Sequence, residues 1–215
     1  MKIVASELEA ETAYKLMTGV VVPRPIAWVT TLSPGKRVNL APFSCFTFVS
    51  SAPPMVGINV GRIAGRLKDT GRNIHETGEF VVHIADDSLI EPIHFSAVEH
   101  PPSVSEVDLL GLRTIESETI AVPRLAVAPI AMECRLHQAI PFGRTGSEFM
   151  VGEIAVFHIR DGLCENYKIN TEKLRPTCRL GGPNYARLGE IVPMASIAQT
   201  AKVEIVPAPA MDPSR

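Results

Sequence analysis

The sequence has no excess of charge of either sign. Its 215 residues include 21 Lys and Arg and 23 Asp and Glu, so the formal net charge at pH 7 is -2. Nucleic acids and acidic membrane surfaces select proteins with a clear basic excess, and no block of Lys and Arg occurs here. We therefore expect neither a nucleic-acid partner nor a membrane partner.

Long apolar runs are also absent. The longest apolar region, residues 43–60, is interrupted by Ser50-Ser51 and by Pro53-Pro54, whereas a membrane-spanning helix needs about 20 consecutive apolar residues. We expect two strands separated by a break in this region. The N-terminal segment turns acidic almost at once and lacks the apolar core of a secretory signal, so the sequence predicts a cytoplasmic protein.

Cysteine is sparse, and the familiar catalytic motifs are missing. The four cysteines form no C-x-x-C pair, which predicts neither a zinc site nor a redox dithiol, and a buried apolar position is the default expectation for each of them. These cysteines are Cys45, Cys134, Cys164 and Cys178. The six histidines lack ligand spacing, so no metal site is expected. Neither a Walker A loop nor a G-x-G-x-x-G, G-x-S-x-G or H-E-x-x-H motif occurs, which excludes the familiar nucleotide folds.

The residues from 22 to 44 predict a β-hairpin that carries many polar groups. Arg24 lies between two prolines, and a residue before proline avoids the helical region, so the chain enters this hairpin extended. A strand over residues 26–32, a type II turn at Ser33-Pro34-Gly35-Lys36 and a return strand over residues 38–44 follow. Hydroxyl, amide and indole groups on such a small surface are suited to a phosphate and a flat aromatic ligand. The groups belong to Trp28, Thr30, Thr31, Asn39 and Ser44.

The rest of the chain predicts more strands than helices. Ser6 and Glu9 form a capping box for a helix that ends at Gly19, and Ser103 and Glu106 form a second box. Alternating apolar residues predict strands over residues 55–60, 80–85, 130–137 and 149–159. A regular β-helix-β alternation is absent, so we expect a mainly β protein, a single antiparallel barrel with short helical excursions.

A short helix between two of these strands predicts an anion site. Asp69 or Thr70 caps the helix, which runs to about Thr77 and ends at Gly78. The backbone N–H groups at its start and the positive end of its dipole point the same way, and Lys68 precedes them. We therefore expect Lys68, Asp69 and Thr70 to contribute to phosphate binding.

Six motifs in one order resemble the flavin reductase-like family of FMN-binding split β-barrel proteins, which includes the flavoredoxins. They are RPIAWVTT, NLAPFS, SAPPMVGINVG, KDTGRNI, TGEFVV and RLGGPNYARLG, and they run from about Tyr14 to Leu188. The resemblance implies a homodimer of six-stranded Greek-key split barrels that hold FMN noncovalently near the subunit interface. Residues 1–206 would form the single FMN-binding domain, and residues 207–215 are expected to be a disordered tail.

The same motifs imply the residues that bind the cofactor. From the first strand they are Trp28, Thr30 and Thr31, from its partner Asn39, Ala41 and Ser44, from the helix start Lys68, Asp69 and Thr70, and from the GGPNY segment Tyr185, which reaches the flavin across the dimer. Neighbouring strand residues point to opposite faces, so only one of Thr30 and Thr31 is expected to donate its hydroxyl. His83 departs from the GEFVVN sequence of many relatives. Each residue also has an ordinary structural alternative as a strand, cap or surface residue.

Three functional hypotheses follow from this resemblance. The first is a flavin reductase, in which FMN takes a hydride from transiently bound NADH or NADPH and passes electrons to free flavin, an oxidised protein or another small acceptor. Such an enzyme needs no catalytic residue of its own, because the chemistry takes place on the flavin. The second is an FMN-binding electron carrier without nicotinamide activity, and the third is a barrel that binds no flavin. A pyridoxamine-phosphate oxidase-like function is disfavoured, because it needs a further cationic phosphate site that the sequence lacks.

Overall fold

The computed structural model describes residues 1–195. The expected tail at residues 207–215 lies outside the described residues, and the single domain over residues 1–206 stays a prediction. The α-helices are α1 (Ala10–Val20), α2 (Asp69–Thr77), α3 (Ile90–Phe95), α4 (Glu106–Leu109) and α5 (Thr171–Leu174), with 3-10 turns at Ala5–Glu7 and Asp87–Leu89. None of these helices combines the length and the apolar character needed to cross a membrane.

Strands dominate the described chain. In order they are β1 (Arg24–Pro25), β2 (Ala27–Leu32), β3 (Val38–Phe43), β4 (Phe46–Ser51), β5 (Pro54–Val60), β6 (Arg62–Ile63), β7 (Arg66–Leu67), β8 (Glu79–Ile84), β9 (Thr114–Ile115), β10 (Arg124–Leu125), β11 (Ile130–Phe142), β12 (Ser147–Ile159), β13 (Cys164–Glu165), β14 (Lys168–Ile169), β15 (Cys178–Arg179) and β16 (Tyr185–Ala186). The longer strands lie at the expected positions, except that β11 continues to Phe142, beyond the expected end at residue 137. The two strands expected within residues 43–60 are confirmed as β4 and β5.

Seven strands form one antiparallel sheet in the order β3-β2-β8-β11-β12-β5-β4. Its two edge strands, β3 and β4, are consecutive in the chain and are joined by Ser44 and Cys45 alone. The three chain steps from Phe43 to Phe46 span at most about 11 Å, so the two edges must lie close together and the sheet must curl. The expected antiparallel barrel is confirmed, with seven strands in the sheet where the resemblance implied six.

The interior of the barrel is a continuous apolar core. Strands from the whole sheet contribute to it, and Ile74 of α2 also belongs to it. The core includes Ala27, Val29, Val56, Ile58, Phe80, Val82, Met132, Cys134, Met150 and Ile154. Gly152 of β12 lies directly against the Phe80 ring and the Cβ of Cys134, so that a side chain at this position would overlap the ring.

A second apolar layer lies on the outside of β2 and β3. Trp28 and Leu40 pack there against Ile93 of α3 and Val107 of α4, and Leu125 of β10 completes the layer. Successive side chains of a strand point to opposite faces, so β2 supplies Val29 to the interior and Trp28 to this outer layer. The short helices are thereby fixed beside β3, where they border the candidate site.

Both predicted capping boxes are wrong. Ser6 lies in the first 3-10 turn, and α1 starts at Ala10 after Glu9, whose side chain makes no capping hydrogen bond. In the second case Ser105 caps α4 by accepting a hydrogen bond from the Asp108 N–H at 3.4 Å. Glu106 instead accepts a hydrogen bond from the Leu40 N–H at 3.0 Å, because β3 is an edge strand and its outward N–H groups have no strand partner.

The turn between β2 and β3 also differs from its prediction. A type II turn needs a positive φ at Gly35, but the residue with a positive φ is Lys36, at 59°. The turn is closed by a hydrogen bond of 2.8 Å from the Lys36 N–H to the Ser33 carbonyl. The predicted hairpin is therefore confirmed, whereas its predicted turn type is wrong.

The prediction that each cysteine is buried is correct for one of the four. All four cysteines are free thiols; Cys134 is buried in the core, Cys178 is half-buried, and Cys45 and Cys164 are exposed. Cys45 belongs to the short connection between the edge strands, and Cys164 lies in the two-residue strand β13 at the surface. These local positions, which the residue type alone does not reveal, explain the two exposed thiols.

We expect Gly152→Ala to destabilise the barrel by about 1 to 3 kcal/mol, since the added methyl group forces the buried Phe80 ring or the backbone to move. Gly61→Ala is the matched control, because Gly61 has no heavy atom within 4 Å of the added carbon. Urea unfolding of the two variants and the wild type measures the difference. Equal midpoints for all three proteins would contradict the packing described here.

Candidate functional site

A cavity of about 460 Å³ lies at the N-terminal end of α2, and we call it the α2 cavity. The return strand β3, the β6-β7 hairpin and the segment 96–102 form its other walls. Its lining includes Asn39, Ala41, Pro42, Phe43, Ile63, Arg66, Leu67, Lys68, Asp69, Thr70, Arg72, Ser96, Ala97 and Glu106. The volume lies within the range of about 300–1,000 Å³ that is typical of pockets for drug-sized ligands.

The start of α2 presents free hydrogen-bond donors to this cavity. Lys68 is the N-cap residue, and no side chain caps the helix, so the N–H groups of its first turn have no partner within the helix. The prediction that Asp69 or Thr70 caps the helix is wrong, since both lie in the first turn; the predicted stop at Gly78 is confirmed, with a φ of 71°. Uncapped N–H groups at a helix start favour an anion.

Two side-chain hydrogen bonds join the hairpin to α2. Asn39 Nδ2 donates to Thr70 Oγ1 at 3.0 Å, and Asn73 Nδ2 donates to Thr31 Oγ1 at 3.0 Å. Thr31, Thr70 and Asn73 are buried, so water cannot easily replace either bond. Because Thr70 Oγ1 is already an acceptor in this pair, its own hydroxyl hydrogen remains available to donate to a ligand.

The charges around the α2 cavity are mixed. Arg66 and Lys68 line the cavity and have no ion-pair partner among the described residues, whereas Arg72 pairs with Asp69 at 2.9 Å. Glu106, whose pKa is raised mainly by burial, supplies a carboxylic group that is largely withdrawn from solvent. The cationic groups therefore lie at the α2 end of the cavity, next to the free N–H groups.

The structure brings together half of the expected binding residues. Five of them line the α2 cavity: Asn39, Ala41, Lys68, Asp69 and Thr70. Three others have side chains that are buried and line neither of the two cavities described here: Trp28, Thr30 and Thr31. The expected opposite orientation of the two threonines agrees with their partners, because Thr30 donates to the Pro123 carbonyl at 2.7 Å on the other side of the strand from α2. Which of these residues touch a ligand stays a prediction.

Trp28 is linked to the cavity indirectly. Its ring is fully buried in the outer apolar layer, and its indole N–H donates to Ser96 Oγ at 2.9 Å. Ser96 in turn lines the α2 cavity. Sequence patterns did not indicate Ser96, because the residue follows a short helix and has no motif around it.

The two remaining expected residues, Ser44 and Tyr185, line a second cavity of about 380 Å³. Arg179 also lines it, and we call it the Arg179 cavity. Pro42 and Ala97 belong to the linings of both cavities, so the two spaces adjoin. Among residues 1–195, no three His, Cys, Asp or Glu side chains come together as potential metal ligands.

His83 of β8 is hydrogen-bonded to both β2 and β10. It is fully buried, its Nδ1 lies 2.8 Å from the Trp28 carbonyl, and its Nε2 accepts the Leu125 N–H at 2.9 Å. The Leu125 bond requires an unprotonated Nε2, so Nδ1 carries the hydrogen that is donated to Trp28. Burial lowers the pKa of His83 to about 4, and the imidazole is neutral at pH 7.

The chain belongs to the family described as the flavin reductase like domain, whose model matches residues 17–174. Its predicted family is therefore confirmed, and the barrel is a split barrel of this family. A protein of Bacillus subtilis, YwrF, which has no assigned function, is 44% identical over 192 residues, which cover 86% of this chain and 94% of the relative.

Two solved structures with more than 30% identity to this chain are a monooxygenase component and a nitroreductase. Component B of nitrilotriacetate monooxygenase from Bacillus cereus is 42% identical, with a TM-score of 0.87 over 90% of this chain and 98% of the other. The 2-nitrobenzoate 2-nitroreductase of Pseudomonas fluorescens is 34% identical, with a TM-score of 0.84 over 94% of this chain and all of the other. These similarities support an oxidoreductase function.

We expect acid to weaken the fold through His83. Its pKa is about 4 in the folded chain and about 6.5 when unfolded, so between these pH values the unfolded state binds more protons. Stability is therefore complete above about pH 6.5 and falls as the pH drops towards 4, by up to about 3 kcal/mol. Urea unfolding of the wild type and of His83→Asn at pH 7.5 and 4.5 should show a smaller acid loss in the variant. An equal loss in both would contradict this role.

Proposed function

We propose that this chain binds FMN noncovalently in the α2 cavity and acts as a flavin reductase-type oxidoreductase. The electron donor is NADH or NADPH, and the acceptor is free flavin or another molecule. The observation that carries the proposal is the uncapped start of α2, which lies beside Lys68 and opens into the α2 cavity. A hydrogen bond between Asn39 and Thr70 joins this helix start to the hairpin. Family membership and the oxidoreductase relatives support the same function.

The residues of the α2 cavity fit the chemical groups of FMN. A phosphate group needs several donors and positive charge, which the first-turn N–H groups of α2, the Thr70 hydroxyl and Lys68 can supply. A flat ring system needs apolar walls, and Ala41, Pro42 and Phe43 provide one on β3. The donor set and the apolar wall therefore suit the two ends of one ligand.

Bound FMN would supply a hydride-accepting ring, and the protein would bind, orient and shield it. Lys68 and Thr70 would bind the phosphate end of FMN. The Asn39–Thr70 hydrogen bond would hold the start of α2 beside β3. Ser96 would be held in place by the indole N–H of Trp28. The nicotinamide donor leaves after each turnover, so it does not require a dedicated dinucleotide fold.

A homodimer is part of the proposal, and the exposed apolar surface supports it. Helix α1 buries none of its residues within the chain, and Tyr14, Met17 and Val20 are 68%, 59% and 70% exposed. Phe48 of the edge strand β4 is 79% exposed. Large apolar side chains grouped on one helix are typical of a protein interface.

Absorbance after gel filtration tests flavin binding directly. The purified protein is mixed with FMN and separated from free flavin, and we expect flavin absorbance to travel with the protein. The loaded protein should then oxidise NADH or NADPH in the presence of free flavin. Reduction of bound FMN by a partner reductase but by neither nicotinamide would instead identify an electron carrier, and loss of all flavin on the column would indicate a barrel that binds none.

The double variant Lys68→Ala, Thr70→Val should weaken FMN binding by about 10-fold or more. Each substitution removes a donor to a charged phosphate, and such a hydrogen bond contributes about 1.5–3 kcal/mol. Quenching of flavin fluorescence during titration measures the affinity. Lys168→Ala is the control, because Lys168 is exposed on β14 and lines none of the cavities described here.

Circular dichroism confirms that the double variant remains folded before its affinity is interpreted. If the folded double variant binds FMN as tightly as the wild type, the phosphate does not bind at α2. The Lys168→Ala control should bind FMN as tightly as the wild type.

We expect the wild type to sediment as a dimer, and Val20→Asp to shift it towards the monomer. The substitution places a charge on the exposed apolar face of α1, and burial of that charge against a partner would weaken the dimer. Sedimentation velocity over a range of protein concentrations measures the change. A wild type that remains monomeric at all concentrations would contradict the proposed assembly.

A further inference from the structure

The Arg179 cavity lies beside the α2 cavity, but its polar groups are arginine and tyrosine side chains and not the N–H groups of a helix start. Its lining contains the cations Lys15, Arg24 and Arg179 and no acidic residue. Lys15 is paired on the surface with Glu11 at 2.7 Å, so the two arginines determine the charge of the cavity. The common wall at Pro42 and Ala97 places this charge next to the proposed flavin.

Arg24 is a buried charge with neutral partners. It is 6% exposed, and it donates to the carbonyl oxygens of Thr18, Val21 and Leu180 at 2.6, 2.6 and 2.9 Å. A further bond of 3.2 Å runs from its Nε to Ser44 Oγ. It forms no ion pair with the described acidic residues. The negative end of the α1 dipole offsets part of this charge, because Thr18 and Val21 lie at the C-terminal end of the helix. No acidic group of the described chain neutralises the rest, so the wall keeps a positive charge that favours an anion.

Arg179 is fixed against an aromatic ring. Its Nε donates to the Gly182 carbonyl at 3.1 Å and its Nη1 to the Tyr185 hydroxyl at 2.5 Å, and its guanidinium carbon lies 4.6 Å from the centre of the Tyr185 ring. Its Nη2 makes no hydrogen bond to the residues from 1 to 195. A planar donor that is already held in position loses little conformational entropy when it binds a planar anion.

We propose that the Arg179 cavity binds small aromatic carboxylates. A carboxylate matches the donor geometry of a guanidinium, and Arg179 with the charge of Arg24 would hold it. The ring would lie among Tyr14, Tyr185, Ile26 and Ile93. The volume of about 380 Å³ lies at the small end of the range for ligand pockets, which suits one substituted ring. The proposal concerns binding alone, and it rests on the proposed function only in placing the acid beside a bound flavin in the adjoining α2 cavity.

Calorimetric titration of the full-length, FMN-free protein with benzoate tests the proposal. Benzamide is the matched neutral probe, since it keeps the ring and replaces the carboxylate by an amide. We expect benzoate to bind and benzamide to bind at least 10-fold more weakly. Arg179→Gln should weaken benzoate binding by about 10- to 100-fold, as expected for the loss of a charged hydrogen-bond partner.

Arg144→Gln is the control for the change in charge, because Arg144 is exposed in the turn between β11 and β12 and lines none of the cavities described here. It should bind benzoate like the wild type. Arg179→Lys keeps the charge, loses the planar fork and should bind with intermediate affinity, which also provides a second variant if Arg179→Gln does not fold.

Four results would overturn the proposal: wild type that does not bind benzoate, equal affinity for benzamide, unchanged affinity in both Arg179 variants, or inorganic pyrophosphate that binds more tightly than benzoate and is weakened by Arg179→Gln. The last result would assign the cavity to the diphosphate of a dinucleotide. Because the titration uses no flavin, a protein that fails to bind FMN can still pass this test. Failure of the proposed function and failure of this inference are therefore distinguishable.

Discussion

The pair of hydrogen bonds between the first hairpin and α2 holds the candidate site together. Asn39 binds Thr70 and Asn73 binds Thr31, each at 3.0 Å and each across more than thirty residues of sequence. A net contribution of about 1 kcal/mol per bond is modest, but a buried hydroxyl or amide left without its partner costs about 1–3 kcal/mol. Any displacement of α2 from β2 and β3 therefore carries a cost at two points, and the uncapped helix start stays aimed at the cavity.

The path of the chain between the edge strands fixes the other walls of the site. Because only Ser44 and Cys45 connect β3 to β4, the barrel edges meet at one place, where Pro42, Phe43 and Ser44 line the cavities. Glu106 fastens α4 to the same edge through the Leu40 N–H. An edge that would otherwise expose unpaired donors is thus used to attach the helices that border the site.

The sequence was sufficient to predict the elements whose evidence is local. Strand alternation placed β5, β8, β11 and β12, the prolines and the turn residues indicated the first hairpin, and Gly78 correctly marked the end of α2. It was also sufficient to gather Asn39 and Thr70 in one site through the order of the family motifs. The strands, the hairpin and the helix end depend on residues that are neighbours in the sequence, whereas Asn39 and Thr70 are 31 positions apart and were joined only by the family resemblance.

The failures concern partners that are distant in the sequence. Ser103 and Glu106 have the spacing of a capping box, but Glu106 is bound to Leu40, which lies 66 positions away. Trp28 stays a predicted binding residue, but the sequence carried no signal for its hydrogen bond to Ser96, which lies 68 positions away. A spacing rule describes only what a side chain can reach within its own helix or strand, so it cannot predict which competing long-range partner will be stronger.

The two adjoining cavities also separate two kinds of anion recognition. In the α2 cavity the donors are helix N–H groups with Lys68 and Thr70, an arrangement that suits the several oxygens of a phosphate. In the Arg179 cavity they are guanidinium groups beside tyrosine rings, which suit a planar acid. Pro42 belongs to both linings and carries no side-chain donor. The two sets of anion-binding groups therefore lie on different sides of it. The FMN and the aromatic acid that we propose would therefore not compete for the same charged groups.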